Sequence, residues 1–315
     1  MYSKLKRIVF LGTPKFAVPS LSMLIANGYG VVGVFTQPDK PVGRAQKLQA
    51  SPVKRLALEH NIPVYQVNKI CLPQGIALLD SLGPDLMISA AFGQIFSKRN
   101  LQTPTLGCIN VHGSLLPKYR GASPIQQAII DGENISGITT MFTDIGIDSG
   151  ELLLQNEIEV LPDETAGELS ERLADLGAQT LLNSLQALQN GTLERRPQID
   201  SQATYCKMLT KESGHIDFTK SSKQVHNLVR GVDPWPGAYA MLNDAPIKIW
   251  KTRIVDAHDK GTGGEVICSD AKQGLIVATG DGEIEILEMQ AAGCKRMETK
   301  VYLRGNRIST GKRFS

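Results

Sequence analysis

Asn110, His112 and Asp148 are the residues whose types and spacing carry chemistry. The first two lie in Gly107-Cys108-Ile109-Asn110-Val111-His112-Gly113-Ser114-Leu115-Leu116-Pro117, an apolar run that ends in a Gly/Ser/Pro turn. Side chains alternate along a strand, so Asn110 and His112 point to one face. An amide donor and an imidazole then stand side by side where the strand stops. Asp148 follows in Asp144-Ile145-Gly146-Ile147-Asp148-Ser149-Gly150, a carboxylate in a glycine-punctuated loop. An Asn amide donates to a developing oxyanion. His and Asp move protons and hold each other's charge. These are the parts for moving an acyl group between nitrogens. An amine that attacks the acyl carbon directly needs no Ser or Cys nucleophile.

The elements around these residues alternate. Strand signals fall at 7–11, 31–36, 85–91 and 107–112, and helix signals at 16–27, 52–60 and 123–131. Ser51 is a good cap for the second helix, with Pro52 in its first turn. Such alternation predicts an α/β fold with a Rossmann-like, doubly wound parallel sheet. Ligands of these sheets bind beyond the carboxyl ends of the strands. Gly12, Thr36, Phe92-Gly93 and Asn110/His112 all fall at such ends. A strand pair at 137–142 and 152–160 flanks the Asp148 loop, and a helix follows at 165–188. No element is assigned to 61–84. After about residue 209 the pattern becomes short β-runs between Gly/Asp turns, which predicts a small antiparallel, OB-like barrel.

The 315-residue chain is 42% apolar and 21% charged, as in a globular protein of two domains. Its net charge of +3 is uneven. Residues 1–60 hold nine Lys/Arg against two acids, and 205–315 hold 17 against 13. The segment between is acidic. Basic ends around an acidic middle suit a polyanionic partner as well as an ordinary solvated surface. Five cysteines without a CxxC pair argue for a reducing compartment and against a cysteine zinc site. Cys108 and His112 lack further ligands to complete a metal site, so no metal is expected. The N-terminal apolar run is too short for a signal peptide and nothing is long enough for a membrane span. A cytoplasmic enzyme is expected, acting as a monomer.

Gly12-Thr13-Pro14-Lys15-Phe16-Ala17 follows the first strand but is not GxGxxG, which rules against a dinucleotide. Residues 37–49 form a long basic loop beside the inferred site, and loops of that length are usually functional or disordered. Trp235 and Trp250 read as barrel core.

The sequence resembles the methionyl-tRNA formyltransferase family, within the wider class of 10-formyltetrahydrofolate-using transferases. The resemblance rests on Phe10-Leu11-Gly12-Thr13-Pro14, Gln37-Pro38-Asp39-Lys40-Pro41-Val42-Gly43-Arg44, Ser51-Pro52-Val53-Lys54, the Asn110/His112 run, Arg120-Gly121-Ala122-Ser123-Pro124-Ile125-Gln126, the Asp148 loop and Pro234-Trp235-Pro236-Gly237. It implies formyl transfer from 10-formyltetrahydrofolate to the α-amino group of initiator methionyl-tRNA. Asn110, His112 and Asp148 are then the catalytic set, and Ser114, Leu115, Leu116 and Pro117 help to form the folate pocket. Arg44, and with it Lys47 of the basic loop, meets the tRNA. Residues 1–190 become the catalytic domain, 191–208 a linker and 209–315 a tRNA-binding β-barrel. Phe92 departs from the family's usual Tyr, and Lys15 stands where an acid is common. Two other readings stay open on the residues: a formyltransferase for a small amine, which has no use for the basic loop or the barrel, and a non-catalytic RNA-binding protein, which has no use for the Asn/His/Asp set.

Overall fold

The computed structural model describes residues 5–42, 47–255 and 261–315. The chain divides into two compact units. The first takes in Met1–Pro124, Ile135–Glu159 and Ser170–Cys206. Its strands, in chain order, are β1 (Ile8–Gly12), β2 (Val31–Thr36), β3 (Lys40–Val42), β4 (Lys47–Gln49), β5 (Val64–Gln66), β6 (Leu86–Ala90), β7 (Cys108–His112), β8 (Arg120–Gly121), β9 (Ile135–Phe142), β10 (Leu152–Glu159) and β11 (Tyr205–Cys206). Helices α1 (Val18–Ala26), α2 (Pro52–Glu59), α3 (Pro73–Leu82) and α4 (Lys98–Gln102) connect the early strands.

Among the described residues, seven of these strands form one sheet in the order β10-β9-β7-β6-β1-β2-β5. The pairings from β7 through β5 are parallel. β1 and β6 are buried at every position, as strands covered by helices on both faces must be. From β1 the chain winds to β2 and β5 on one side and to β6 and β7 on the other, so the sheet's switch point lies at the carboxyl ends of β1 and β6. The expected doubly wound sheet is present, and β9 and β10 extend it as an antiparallel pair.

Two features differ from the expected plan. The flanks of the 37–49 loop are a hairpin, with Lys40 paired to Gln49 and Val42 to Lys47. Residues 191–206, expected as linker, lie within the first unit: Leu152 and Arg196 exchange backbone hydrogen bonds of 2.8 and 3.0 Å, and β11 pairs with β8. Their polar side chains are spent on other segments of that unit, so their composition reads like a linker's.

The second unit takes in Ile125–Asn134, Val160–Leu169 and Lys207–Ser315. The helices α5 (Pro124–Ile130) and α6 (Ala166–Asn190) begin in or near its two early segments. Arg230 Nη1 donates to the carbonyl of Glu164 at 3.1 Å, tying 160–169 to helix α7 (Ser222–Gly231). A capping box of Ser221 and Gln224 opens α7. Strands β12 (Ala238–Leu242), β13 (Ala245–Val255), β14 (Val266–Asp270), β15 (Gly274–Ala278), β16 (Glu283–Ala291) and β17 (Met297–Glu298) follow, then α8 (Thr299–Leu303). The strand order is β12-β13-β16-β15-β14 with β17 on β16, antiparallel throughout. Ile249, Val277, Ile286 and Met289 fill its core with Val225 and Val229 of α7.

Trp235 is not core: it is 55% exposed. It stands between Pro234 and Pro236 in a turn, where no pleat directs its ring inward. Trp250 is half-buried, with the Lys248 ammonium 5.1 Å and the Arg296 guanidinium 4.9 Å from its ring centre. Among the described residues no helix is long and apolar enough to cross a membrane.

Candidate active site

Asn110 sits on β7 in register with Ser89 of β6. In a parallel pair, residues in register share a face, and Ser89 Oγ donates to Asn110 Oδ1 at 2.9 Å. With its oxygen engaged, the Asn110 amide keeps its NH2 to donate. Two residues on and facing the same way, His112 is 6% exposed. Its Nε2 lies 2.9 Å from the Tyr119 carbonyl oxygen. A carbonyl only accepts, so Nε2 carries the hydrogen and the neutral ring presents a bare Nδ1. That Nδ1 stands 3.8 Å from Asp148 Oδ2.

Asp148 comes from the loop between β9 and β10, where Asp144 Oδ1 accepts from Gly146 N at 3.0 Å and from Ser149 Oγ at 2.9 Å. Asp148 itself has φ 49°, a left-handed backbone uncommon outside glycine. Its Oδ2 accepts from Gly121 N at 2.8 Å. Gly121 has φ 114°, and a Cβ there would run into the Cys206 carbonyl of β11. Only glycine lets this stretch press on β11 while its N–H reaches Asp148. Ile145 and Ile147, on the same loop, are exposed.

The structure thus gathers Asn110, His112 and Asp148 at the carboxyl end of β7. Ser114 and Leu116 are buried, whereas Leu115 and Pro117 are half-buried. Ser114 Oγ donates to Lys118 O at 2.6 Å, and Leu116 N to Thr139 Oγ1 at 3.1 Å, so chain contacts fix this turn. Cys108, also on β7, is buried, and burial pushes its thiol up to about 11. At neutral pH it stays protonated and is no nucleophile. Among the described residues, no three His, Cys, Asp or Glu side chains group as metal ligands.

Arg44 lies outside the described residues. Lys47 is in β4, the second strand of the hairpin. The root of this hairpin is a polar network. Lys54 Nζ donates to Asp39 Oδ2 at 2.7 Å and to Gln66 Oε1 at 2.8 Å. Gln66 Nε2 donates to Asp39 Oδ1 and to the Gln37 carbonyl, both at 2.8 Å. The Lys54 hydrogen bond, joined by that of Gln66, holds the Asp39 carboxyl below its ordinary value.

Sequence reasoning gave no role to Ser89, to the Tyr119 carbonyl or to Gln198, whose amide bonds the Asp148 loop. Ser89 carried a signal: it is a polar residue within the buried run Leu86–Ala90 and faces Asn110. Gln198 carried none.

Residues 6–185 match the family described as formyl transferase, and residues 208–307 match the formyl transferase C-terminal domain. The chain therefore belongs to the formyl transferase family, and within it to the methionyl-tRNA formyltransferases. It is 53% identical over 310 residues to the methionyl-tRNA formyltransferase of Ruminiclostridium cellulolyticum, covering 98% of this chain and 99% of that one. To the methionyl-tRNA formyltransferase of Acetivibrio thermocellus it is 47% identical, over 97% of this chain and 98% of the other. Among solved structures, an N-formyltransferase from Helicobacter canadensis, in complex with folinic acid and dTDP-3-aminofucose, superposes with a TM-score of 0.64 at 22% identity, covering 91% of this chain and all of that one. At that identity the likeness speaks for the fold.

Proposed function

We propose that the chain transfers the formyl group of 10-formyltetrahydrofolate to the α-amino group of initiator methionyl-tRNA, giving N-formylmethionyl-tRNA, as a cytoplasmic monomer. The observation that carries this reading is the His112–Asp148 pair beside Asn110, at the strand ends of a chain 53% identical to a methionyl-tRNA formyltransferase over nearly its whole length.

The donor's fit rests on the site's groups: an amide NH2 and an imidazole face the same way at the end of β7, and the half-buried apolar Leu115 and Pro117 follow in the turn after it. The α-amino nitrogen attacks the formyl carbon, and its C–N bond forms as the carbonyl electrons move to oxygen. Asn110 NH2 and protonated His112 Nδ1 donate to that oxygen. Removing one such donor typically costs about 10²–10³ in rate. Asp148 takes the amine proton, directly or through one water. The pair then returns a proton to the folate nitrogen as its C–N bond breaks, so each proton removed from the amine leaves with tetrahydrofolate.

In this reading the first unit, with 191–206 inside it, carries the chemistry, and 209–315 contacts tRNA. Lys47 of the hairpin, and Arg44 from the segment between its two strands in sequence, contact the acceptor end. The test is direct. The purified chain is mixed with 10-formyltetrahydrofolate and charged initiator tRNA, with free methionine and a dTDP-amino sugar as competing acceptors. Formyl-methionine on tRNA alone is the expected result, and formylation of the amino sugar alone would overturn the proposal.

A further inference from the structure

Gln198 lies in the polar run Arg195-Arg196-Pro197-Gln198. Its side-chain amide spends both hydrogens on one loop, donating to the carbonyl of Asp148 at 2.8 Å and to that of Gly150 at 2.8 Å. Its Oε1 accepts from Arg120 Nε at 3.0 Å. Arg120 is 2% exposed, and its other nitrogens donate to Asp200 Oδ1 at 2.8 Å and Tyr205 Oη at 3.3 Å. A guanidinium only donates, so it fixes which end of the Gln198 amide is oxygen and aims the NH2 at the loop.

The loop needs such a hold. Asp148 keeps its left-handed backbone because the surroundings impose it. The residues on either side of Arg120 act on the same pair. Tyr119 O accepts from His112 Nε2, and Gly121 N donates to Asp148 Oδ2. The two residues that flank Arg120 and one distant amide therefore frame the imidazole and the carboxylate. Each grips a different atom, and together they set the 3.8 Å between them.

We infer that Gln198, aligned by Arg120, is the positioning residue that holds Asp148 against His112. This inference rests on the reading of His112 and Asp148 as the acid–base pair. Gln198 touches neither substrate nor reacting atoms; it acts through the backbone of Asp148.

The test uses the full chain. Gln198→Met keeps the bulk and removes both donors. Misplacing a reacting group by about 1 Å can cost 10²-fold, so kcat for formyl transfer is expected to fall about 10- to 100-fold, with KM for both substrates unchanged. In ¹⁵N-histidine spectra at fixed pH the ring nitrogens of His112 are expected to change chemical shift, because the carboxylate 3.8 Å from Nδ1 has moved. Should the Met variant not fold, Gln198→Asn, which shortens the reach of the amide, reads the same two quantities.

Asp148→Asn separates the two levels of the argument. If it leaves transfer intact, the acid–base reading itself fails. If it is inactive while Gln198→Met keeps both kcat and the His112 ring-nitrogen shifts, the inference is overturned and the reading stands. A Gln198→Met protein that melts earlier with kcat and those shifts unmoved also overturns it, because the contact would then be structural support alone.

Discussion

His112 is tied by Nε2 to the backbone carbonyl of Tyr119 at 2.9 Å, which leaves Nδ1 as its one nitrogen turned toward Asp148. A backbone acceptor holds the tautomer whatever side chain stands at 119. His112→Ala, Asn110→Ala and Asp148→Ala are each expected to lower kcat about 10²-fold or more, since each removes a group acting on the same oxyanion or proton. The losses should be far from additive, as for residues that act as a unit. A double variant no slower than the worse single one would bear this out, and near wild-type turnover in His112→Ala would sink the assignment.

Ser89 orients the Asn110 amide through one hydrogen bond. Such a bond is worth about 0.5–1.5 kcal/mol net, so Ser89→Ala should lower kcat about 3- to 10-fold. KM for folate should hold. Steady-state kinetics with saturating tRNA reads this directly, and an effect confined to KM would place Ser89 outside the reaction.

The Asp39–Lys54–Gln66 network anchors the basic hairpin at its base. Hydrogen bonds to charged groups contribute about 1.5–3 kcal/mol, so Lys54→Met should raise KM for tRNA about tenfold while leaving that for folate in place. Arg44→Ala should act in the same direction. Lys47→Ala should give a smaller loss and a shallower dependence of tRNA affinity on salt, as removal of a phosphate contact does. Equal losses for folate in all three would put the hairpin over the donor instead.

Cys108 lies on β7, two residues before Asn110, and burial holds its thiol at about 11. It should resist iodoacetamide at pH 8 in the folded protein, whereas Cys294, which is exposed, should alkylate readily. Peptide mass spectrometry after a timed reaction distinguishes them. Rapid labelling of Cys108 with loss of activity would reopen covalent chemistry at the site.

In the second unit His226 Nδ1 lies 2.9 Å from Thr252 Oγ1, and its Nε2 lies 3.4 Å from Asp163. Burial, and then the charge of Arg230, hold its imidazole below the ordinary 6.5. The unfolded chain therefore takes up a proton that the folded chain refuses. This stabilisation is complete above pH 6.5 and is lost as the pH falls through the lowered folded value. His226→Gln should flatten the fall of Tm between pH 7 and 5, and melting curves in that range check it.

The placing of Asn110 and His112 on one face of β7 was legible because a period of two fixes which residues share a face. Asp148 was legible because its loop is glycine-punctuated at the end of a strand. Gln198 and Arg120 were not, because their bonds join segments 50 and 78 residues apart and no local pattern encodes a partner at that distance. The same limit applies to 191–206, whose hydrogen bonds to β8 and Leu152 leave a composition like that of a solvated linker. Trp235 was misread for a different reason: apolar bulk predicts burial only where an element points it inward. Helix α3 starts after Leu72, which supplies no side-chain cap, and has Gly75 in its first turn, so its start carries a weak signal.

The order of the large sheet also governs how it ends. A strand at a sheet margin offers unpaired amides to any passing chain. Here one margin, β5, is three residues long. The other, β10, has its beginning covered by the backbone of Arg196 and carries exposed Glu157 and Glu159 toward its finish. Two copies brought together along β10 would set these carboxylates against each other. The sheet thereby stops growing at the boundary of its own chain, and a nascent or crowded population of this protein is guarded against edge-to-edge aggregation.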